Sequence, residues 1–424
     1  MSLAKTSLLN AVAVAVKVSS ALVLNKLLAV MLGPAGYTLI GQFQNAVGLV
    51  SSLVGGTVTT GVTKYTAEYY DDEPRQHLIW QTACRLMLYT TLGAAAGIIL
   101  FRNPLSTLLF NRPDFSDVFV WFAIVLPGLA LNSLLLAIIN GKKEFRSFVF
   151  ANILGNLVSF CVIGILAWKI GLRGALIAFG VSQSVAVLAT LGLTLKKEWF
   201  SLRVLWGKID PIALQKLLKF VAMAVTSSIC VPLSQILVRD HLSTKFGLEA
   251  AGYWQAVTKI SDIYLMMVTL TLSAYYLPRI SEIRETKELK KEILKTYQFV
   301  LPLAACGALS IYLLRDFIVS VLFTPDFRPM ISLFAWQLLG DVLKIGSWIL
   351  AYVLLGRASA KAFVMAEIIF SILLVAVTIL LTTLFGLVGS VMAFALNYLL
   401  YWVAMFYLTS REMKRLTYRM SLET

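Results

Sequence analysis

The sequence predicts an all-α polytopic membrane protein of about twelve membrane helices in two six-helix lobes. Three observations carry that expectation. Mean hydropathy is +0.81, with 59% hydrophobic and only 14% charged residues, far beyond what a water-soluble chain needs for its core. Apolar runs of spanning length recur near 6–32, 37–69, 78–101, 118–140, 148–170, 173–195, 217–240, 250–278, 296–314, 329–355, 362–384 and 387–409. Segments of the first half also return in the second at nearly one offset.

The first run carries charge where charge is expensive. Lys17 sits near its middle, and Asn25 and Lys26 follow. At about 100° per residue, Asn10, Lys17, Leu24 and Asn25 share one side of the helix. Lys26 falls opposite, near enough to the end to snorkel. A lysine facing lipid at mid-depth costs on the order of 2.5 kcal/mol or more, so the stripe is predicted to line a wet cavity in the bilayer. Lys5 before an apolar run imitates a signal peptide, but the run is long, holds Lys17 and lacks an A-x-A site. It is expected to remain as a helix.

Alternate connections are basic: Lys142, Lys143 and Arg146; Lys196, Lys197, Arg203 and Lys208; Arg284, Lys287, Lys290 and Lys291; Arg357 and Lys361; and the tail with Arg411, Lys414, Arg415 and Arg419. The connections between them carry few cations. By the positive-inside rule both termini are expected in the cytoplasm, and the net charge of +15 reflects that rule rather than nucleic-acid binding. The longest internal connection, 196–216, mixes bases with Trp199, Phe200 and Trp206, which suits an interfacial helix. It divides the chain into a lobe at 1–195, a linker at 196–216, a lobe at 217–409 and a basic tail at 410–424.

The two lobes repeat. GLRGALIAF at 171–179 returns as GLVGSVMAF at 386–394, and Gly141 with Phe148-Val149 as Gly356 with Phe363-Val364. Ala35-Gly36-Tyr37 returns as Ala251-Gly252-Tyr253. Leu109-Phe110 with Pro113-Asp114-Phe115 returns as Leu322-Phe323 with Pro325-Asp326-Phe327. An even number of helices per repeat gives parallel copies related by an axis along the membrane normal, a transporter architecture with a site expected at the repeat interface.

Further charges fall inside spans: Lys259 and Asp262 in the eighth run, Asp341 and Lys344 in the tenth, Arg85 near a span end, and Lys64 and Glu367 nearer the surface. Such groups are functional candidates by default, although Lys259 with Asp262, and Asp341 with Lys344, are spaced to pair along their own helices. Cations outnumber carboxylates at cavity depth, which suits an anionic head group, above all a diphosphate. Lys17, Lys26, Asn25, Lys64, Arg85, Lys259 and Lys344 are the candidate substrate contacts. Asp262, Asp341 and Glu367 are candidates for carrying a coupling proton. Tyr253, Trp254 and Gln255 suit stacking and hydrogen bonding to sugars, and equally suit an interfacial aromatic belt.

No phosphate-binding G-x-x-x-x-G-K-[ST] loop is present, and His77 and His241 form no metal or triad constellation. Cys84, Cys161, Cys230 and Cys306 lie in apolar runs and read as buried small hydrophobes. No metal, cofactor or enzymatic activity is expected.

LNKLLAVMLGPAG at 24–36, GVTKYTAEY at 61–69, WQAVTKISDIYL at 254–265, LLRDF at 313–317 and FAWQLLGDVLKIG at 334–346 together resemble the Wzx-type flippases of the multidrug/oligosaccharidyl-lipid/polysaccharide exporter superfamily. The similarity covers essentially the whole chain and is strongest to the branch serving enterobacterial common antigen and some O antigens. It implies two lobes in a V around a central cationic cavity, opening alternately to cytoplasm and periplasm. It implies as substrate an undecaprenyl-diphosphate-linked oligosaccharide, moved across the bacterial inner membrane. Expected partners are that lipid, membrane lipids, and a polysaccharide polymerase with its chain-length regulator. Asn25 departs from the small residue expected before Lys26 in the common-antigen branch. The competing expectation is a cation-coupled multidrug exporter of the same superfamily, whose chamber should be acidic or aromatic rather than rich in lysine.

Overall fold

The structure is a computed structural model, described for residues 3–272, 276, 279–280, 283, 285–356 and 360–423. The described residues form thirteen α-helices joined by short turns, with no strand among them. In chain order these are α1 (Leu3–Ser51), α2 (Thr57–Glu68), α3 (Glu73–Leu100), α4 (Arg102–Phe110), α5 (Ser116–Gly141) and α6 (Phe145–Thr194). They continue with α7 (Pro211–Phe246), α8 (Leu248–Thr271), α9 (Thr286–Leu313), α10 (Arg315–Leu322), α11 (Phe334–Gly356), α12 (Ala360–Phe385) and α13 (Val388–Glu423).

Eight helical stretches among the described residues are long and apolar enough to cross a membrane. Two of them, Ala15–Glu68 and Phe145–Thr194, run 54 and 50 residues. At 1.5 Å per residue each is more than twice the ~30 Å hydrocarbon core. Both are broken by a glycine: Gly33 at φ 63°, ψ −176° and Gly171 at φ 64°, ψ −142°. Each stretch is therefore two crossings. With α7 (36 residues) and α8 (24 residues), both long enough to span, the crossings reach the expected twelve.

The internal repeat is visible in the backbone. Gly386, the counterpart of Gly171, also has a positive φ of 61° and separates α12 from α13. Gly247, at φ 90°, stands before α8 as Gly33 stands before Pro34. An L-residue carries its Cβ into the backbone in this region, so glycine is the residue that turns there cheaply. Element order repeats as well. α3 and α9 both have 28 residues, and each is followed by a short helix and a 3₁₀ turn, at Pro113–Phe115 and Pro325–Leu333.

The chain forms two compact units, one of Met1–Leu32 with Leu39–Ile236 and one of Gly33–Thr38 with Leu237–Thr424. In the first, α5 is the enclosed helix and packs against α6, α3 and α2. Its core is aromatic: Phe43 meets Phe119 and Phe122 edge-on at 5.8 and 5.9 Å. In the second unit the equivalent helix α11 packs against α13, α9 and α8. The spans carrying α5 and α11 are 56% and 61% buried, against at most 33% for the others, which marks them as the core of each unit and leaves the rest facing lipid. Gly33–Thr38 joins the second unit through Thr38, whose hydroxyl donates to the Leu248 carbonyl at 2.6 Å, and through Tyr37, ringed by Phe323 and Phe327.

Two expectations need correction. The 196–216 connection holds a 3₁₀ turn, Leu202–Leu205, and from Pro211 the first turns of α7, rather than an interfacial helix of its own. Phe200 is buried and Trp199 packs on Trp80, so the segment's aromatics are spent on the unit itself while Trp206 alone stays outward. Cys161 and Cys306 are exposed on outward helix faces, not buried, because a small apolar residue is equally at home against lipid.

Candidate functional site

The second unit holds a polar network inside its core. Asp341, on the enclosed helix α11, is completely buried. Ser261 Oγ of α8 donates to its Oδ2 at 2.7 Å, and Gln337 Nε2, one turn earlier on α11, donates to its Oδ1 at 3.3 Å. No described cation lies within ion-pair distance of it. Lys344 turns instead toward aromatics: its Nζ stands 4.9 Å from the Trp348 ring, 5.2 Å from Tyr398 and 5.5 Å from Phe394. These are cation–π distances, which hold an ammonium without a counter-ion. Tyr398 abuts Tyr401, whose hydroxyl donates to Glu367 Oε1 at 3.0 Å. The helices α8, α11, α12 and α13 thus each contribute a polar group to one interior.

Of the two helical pairs anticipated from spacing, one forms. Lys259 Nζ lies 3.9 Å from Asp262 Oδ2, with Asp262 53% exposed, so this pair sits on an open face. Asp341 and Lys344 do not pair: Asp341 takes the Ser261 hydroxyl of α8, and Lys344 turns to Trp348 on its own helix and to Phe394 and Tyr398 of α13.

Arg239 was not singled out from the sequence. It is 1% exposed, its Nε donates to Gln255 Oε1 at 3.1 Å, and its guanidinium lies 5.5 Å from the Trp254 ring. The seventh apolar run ends at Asp240, so Arg239 reads as a loop edge. Helix α7 continues to Phe246, however, and Val238 and Leu242, both buried, mark Arg239 as lying on the inner face. Trp254 and Gln255 are accordingly turned inward and serve Arg239 rather than an open surface, while Tyr253 stays half-buried beside Phe327.

In the first unit the candidate residues lie differently. Lys17 and Lys26 are exposed on α1 and make no ion pair with a described residue, whereas Asn25 is half-buried and has a partner. Lys64, on α2, stands 5.1 Å from the Tyr65 ring. Arg85, on α3, is half-buried with its Nε enclosed and unpartnered, an orphaned donor of the kind that water or a ligand satisfies. A cleft of about 300 Å³ between α2 and α5 adds hydroxyl and amide groups from Thr60, Ser133 and Asn140, which carried no signal in the sequence.

At the end of this unit, cations and aromatics form a collar. Lys142 lies in the loop between α5 and α6, with Nζ 5.6 Å from Trp80, 5.5 Å from Trp199 and 5.8 Å from Tyr70. Burial pulls its ammonium below the ordinary lysine range, and Glu73 opposes that shift. Trp80 is fully buried and its indole N–H donates to Thr66 Oγ1 at 2.8 Å. The linker is tied to the same end by Lys197–Glu144 at 2.7 Å, by the Asp210 amide donating to Thr82 at 3.1 Å, and by Lys216 donating to Tyr69. No group of three or more His, Cys, Asp or Glu suited to a metal occurs among the described residues.

Comparison with known proteins sets these observations in a family. A polysaccharide biosynthesis protein family model matches residues 27–332. The lipid III flippases of Escherichia coli (strain K12) and Shigella flexneri are each 32% identical over 406 residues, covering 95% of this chain and 96% of theirs. Among solved structures, an inward-facing multidrug resistance MATE family transporter of the MOP superfamily matches with a TM-score of 0.80 at 14% identity, over 94% of this chain and 95% of that one. The lipid II flippase MurJ in an inward closed conformation matches at 0.75 with 13% identity, over 96% and 89%. The structural likenesses establish the fold; the whole-length sequence identity goes further. This chain belongs to the polysaccharide biosynthesis protein family of the lipid III flippases, a multi-pass membrane protein whose fold matches those of the MATE transporter and MurJ.

Proposed function

We propose that the protein flips an undecaprenyl-diphosphate-linked oligosaccharide, an O-antigen repeat or the enterobacterial common antigen unit, from the cytoplasmic to the periplasmic leaflet of the bacterial inner membrane. Both termini lie in the cytoplasm in this reading, and transport proceeds by alternating access. The observation that carries it is 32% identity to lipid III flippases across 95% of the chain. Lys17 and Lys26, exposed and without an ion pair to a described residue, and the orphaned Arg85 Nε support it chemically, since each is a cationic donor of the kind a diphosphate takes. Lys64, Lys259 and Lys344 assist, and Tyr253 with Asn25 meets the sugars.

The test is genetic complementation in a strain lacking its own flippase. Lys17→Ala is expected to abolish surface polysaccharide while the protein still inserts and accumulates. Normal polysaccharide in that variant removes Lys17 from the mechanism.

Asp341 takes up and releases the coupling proton in this proposal, with Asp262 and Glu367 as secondary carriers. Its support is complete burial behind two neutral donors, a setting in which a change of charge biases one lobe arrangement over another. Asp341→Asn preserves shape and one acceptor. Transport in everted vesicles is expected to fall at least about ten-fold, equivalent to ~1.4 kcal/mol. A variant with wild-type rate and unchanged dependence on the proton gradient excludes Asp341 as the carrier.

A multidrug exporter is the weaker reading, because the resemblance to such transporters stands at 14% identity. Drug susceptibility unchanged by deletion of the gene separates the two. The protein acts without catalysis of its own, and a polymerase and chain-length regulator receive the flipped lipid; co-purification from membranes tests that association.

A further inference from the structure

A cleft of about 490 Å³ opens in the second unit where α9 leans on α11 and barely touches α13. Its walls change character along their length in a consistent sense. At one end stand Thr286 and Lys290 from the first turns of α9, with Thr409, Ser410, Met413 and Lys414 from the last part of α13. At the other stand Ile293, Leu294 and Phe406, over a floor of Leu350 and Tyr297. Two hydrogen bonds fix the floor in place: the Tyr297 hydroxyl donates to the Gly346 carbonyl at 2.6 Å and accepts from the Trp402 indole at 2.9 Å.

The two helices run in opposite chain directions, yet both pass from polar to apolar the same way. From Thr286 to Tyr297 the axial rise is about 16 Å, close to half of a ~30 Å hydrocarbon core. The cleft therefore has the polarity profile and the depth of one leaflet. No carboxylate is among its lining residues, Lys290 and Lys414 make no ion pair with a described residue, and Glu288, two residues from Lys290, is held by Arg279 at 3.0 Å. Leu294 and Phe406 are 59% and 65% exposed, so the apolar end is open to lipid from the side.

We propose that this cleft binds an anionic diacyl phospholipid, with its phosphate between Lys290 and Lys414 and one acyl chain along Leu294 and Phe406. Basic pockets between membrane helices are suited to anionic head groups. Two lysines and the Ser410 hydroxyl match a single phosphodiester on glycerol, while the buried Thr409 hydroxyl is taken by the Leu350 carbonyl. A sugar-bearing diphosphate brings further polar groups for which these walls hold no partner. The site is thus separate from transport of the flipped lipid and acts on the stability of the second unit.

The test uses full-length purified protein in a neutral detergent, titrated with dioleoylphosphatidylglycerol or dioleoylphosphatidylcholine. Thermal unfolding and native mass spectrometry are read in parallel. Phosphatidylglycerol is expected to raise Tm and to stay bound, and phosphatidylcholine to do neither. In the double variant Lys290→Gln/Lys414→Gln the half-saturating phosphatidylglycerol concentration rises at least ten-fold, with an unchanged Tm in phosphatidylcholine. Should that variant fail to fold, Leu294→Trp fills the cleft from its exposed edge and is expected to lose bound phosphatidylglycerol. Equal responses to the two phospholipids, or a phosphatidylglycerol response surviving in whichever variant folds, overturns the proposal. So does undecaprenyl diphosphate displacing phosphatidylglycerol at a tenth of its concentration, which would assign the cleft to the prenyl lipid.

Discussion

In the first unit the tightly held cations gather where helices end; in the second they are sunk among helix interiors. Lys142, Lys216 and Lys64 rest on Trp80, Trp199, Tyr69 and Tyr65, and the linker is fastened to the same collar. Arg239, Asp341, Lys344 and Glu367 are instead enclosed by α7, α8, α11, α12 and α13. Two halves with one element order have thus placed their polar groups at different depths. An end collar fixes a linker and resists movement. An interior network couples helices to one another. The architecture repeats and the electrostatics do not, which suits a transporter whose halves have different tasks.

Three substitutions break or sharpen that contrast. Trp80→Ala should have the largest effect on stability, because it removes a fully buried indole, its bond to Thr66 and the ring beneath Lys142. A loss of about 3 kcal/mol or more is expected, read as a lowered melting temperature and as faster proteolysis at the 196–216 linker. If the linker stays protected, the collar is not what holds it.

Arg239→Met is the intermediate case. It strips the buried Gln255 oxygen of its Arg239 donor, and a buried acceptor left unmet costs about 1–3 kcal/mol, so the melting temperature should fall by less than in Trp80→Ala. Transport should fall as well, since the helix α8 residues Trp254 and Gln255 lose their shared partner. Unimpaired transport would reduce Arg239 to a packing residue. Lys142→Gln should show the smallest change, about 1 kcal/mol for lost cation–π contact at a half-exposed site. A larger loss would mean that the collar is cooperative, and a double-mutant cycle with Trp199→Ala would measure that coupling.

Much of the fold is legible in the residues because lipid imposes one pattern, a long apolar run, on every crossing. The repeat was legible for a backbone reason: the GLRG and GLVG segments begin at Gly171 and Gly386, and both turn the chain at positive φ. Intramembrane charges could be found but not their partners. Lys344 and Asp341, three residues apart, look like a pair until Ser261 arrives from α8 and Tyr398 from α13. Arg239 is hidden because its own run ends in polar residues, while Trp254 and Gln255 that hold it come from the next helix. Likewise the cleft between α9 and α13 exists in no single segment; it needs residues from two helices that run in opposite directions along the chain.

The four corners at Gly33, Gly171, Gly247 and Gly386 share one further property. No atom stands within 4 Å of where a Cβ would project from any of them. Room is not what excludes a side chain there; only the hand of the amino acid does. An L-alanine at such a corner meets about 1–3 kcal/mol of resistance from its own backbone, while its mirror image, installed by chemical ligation, should settle in and stiffen the bend.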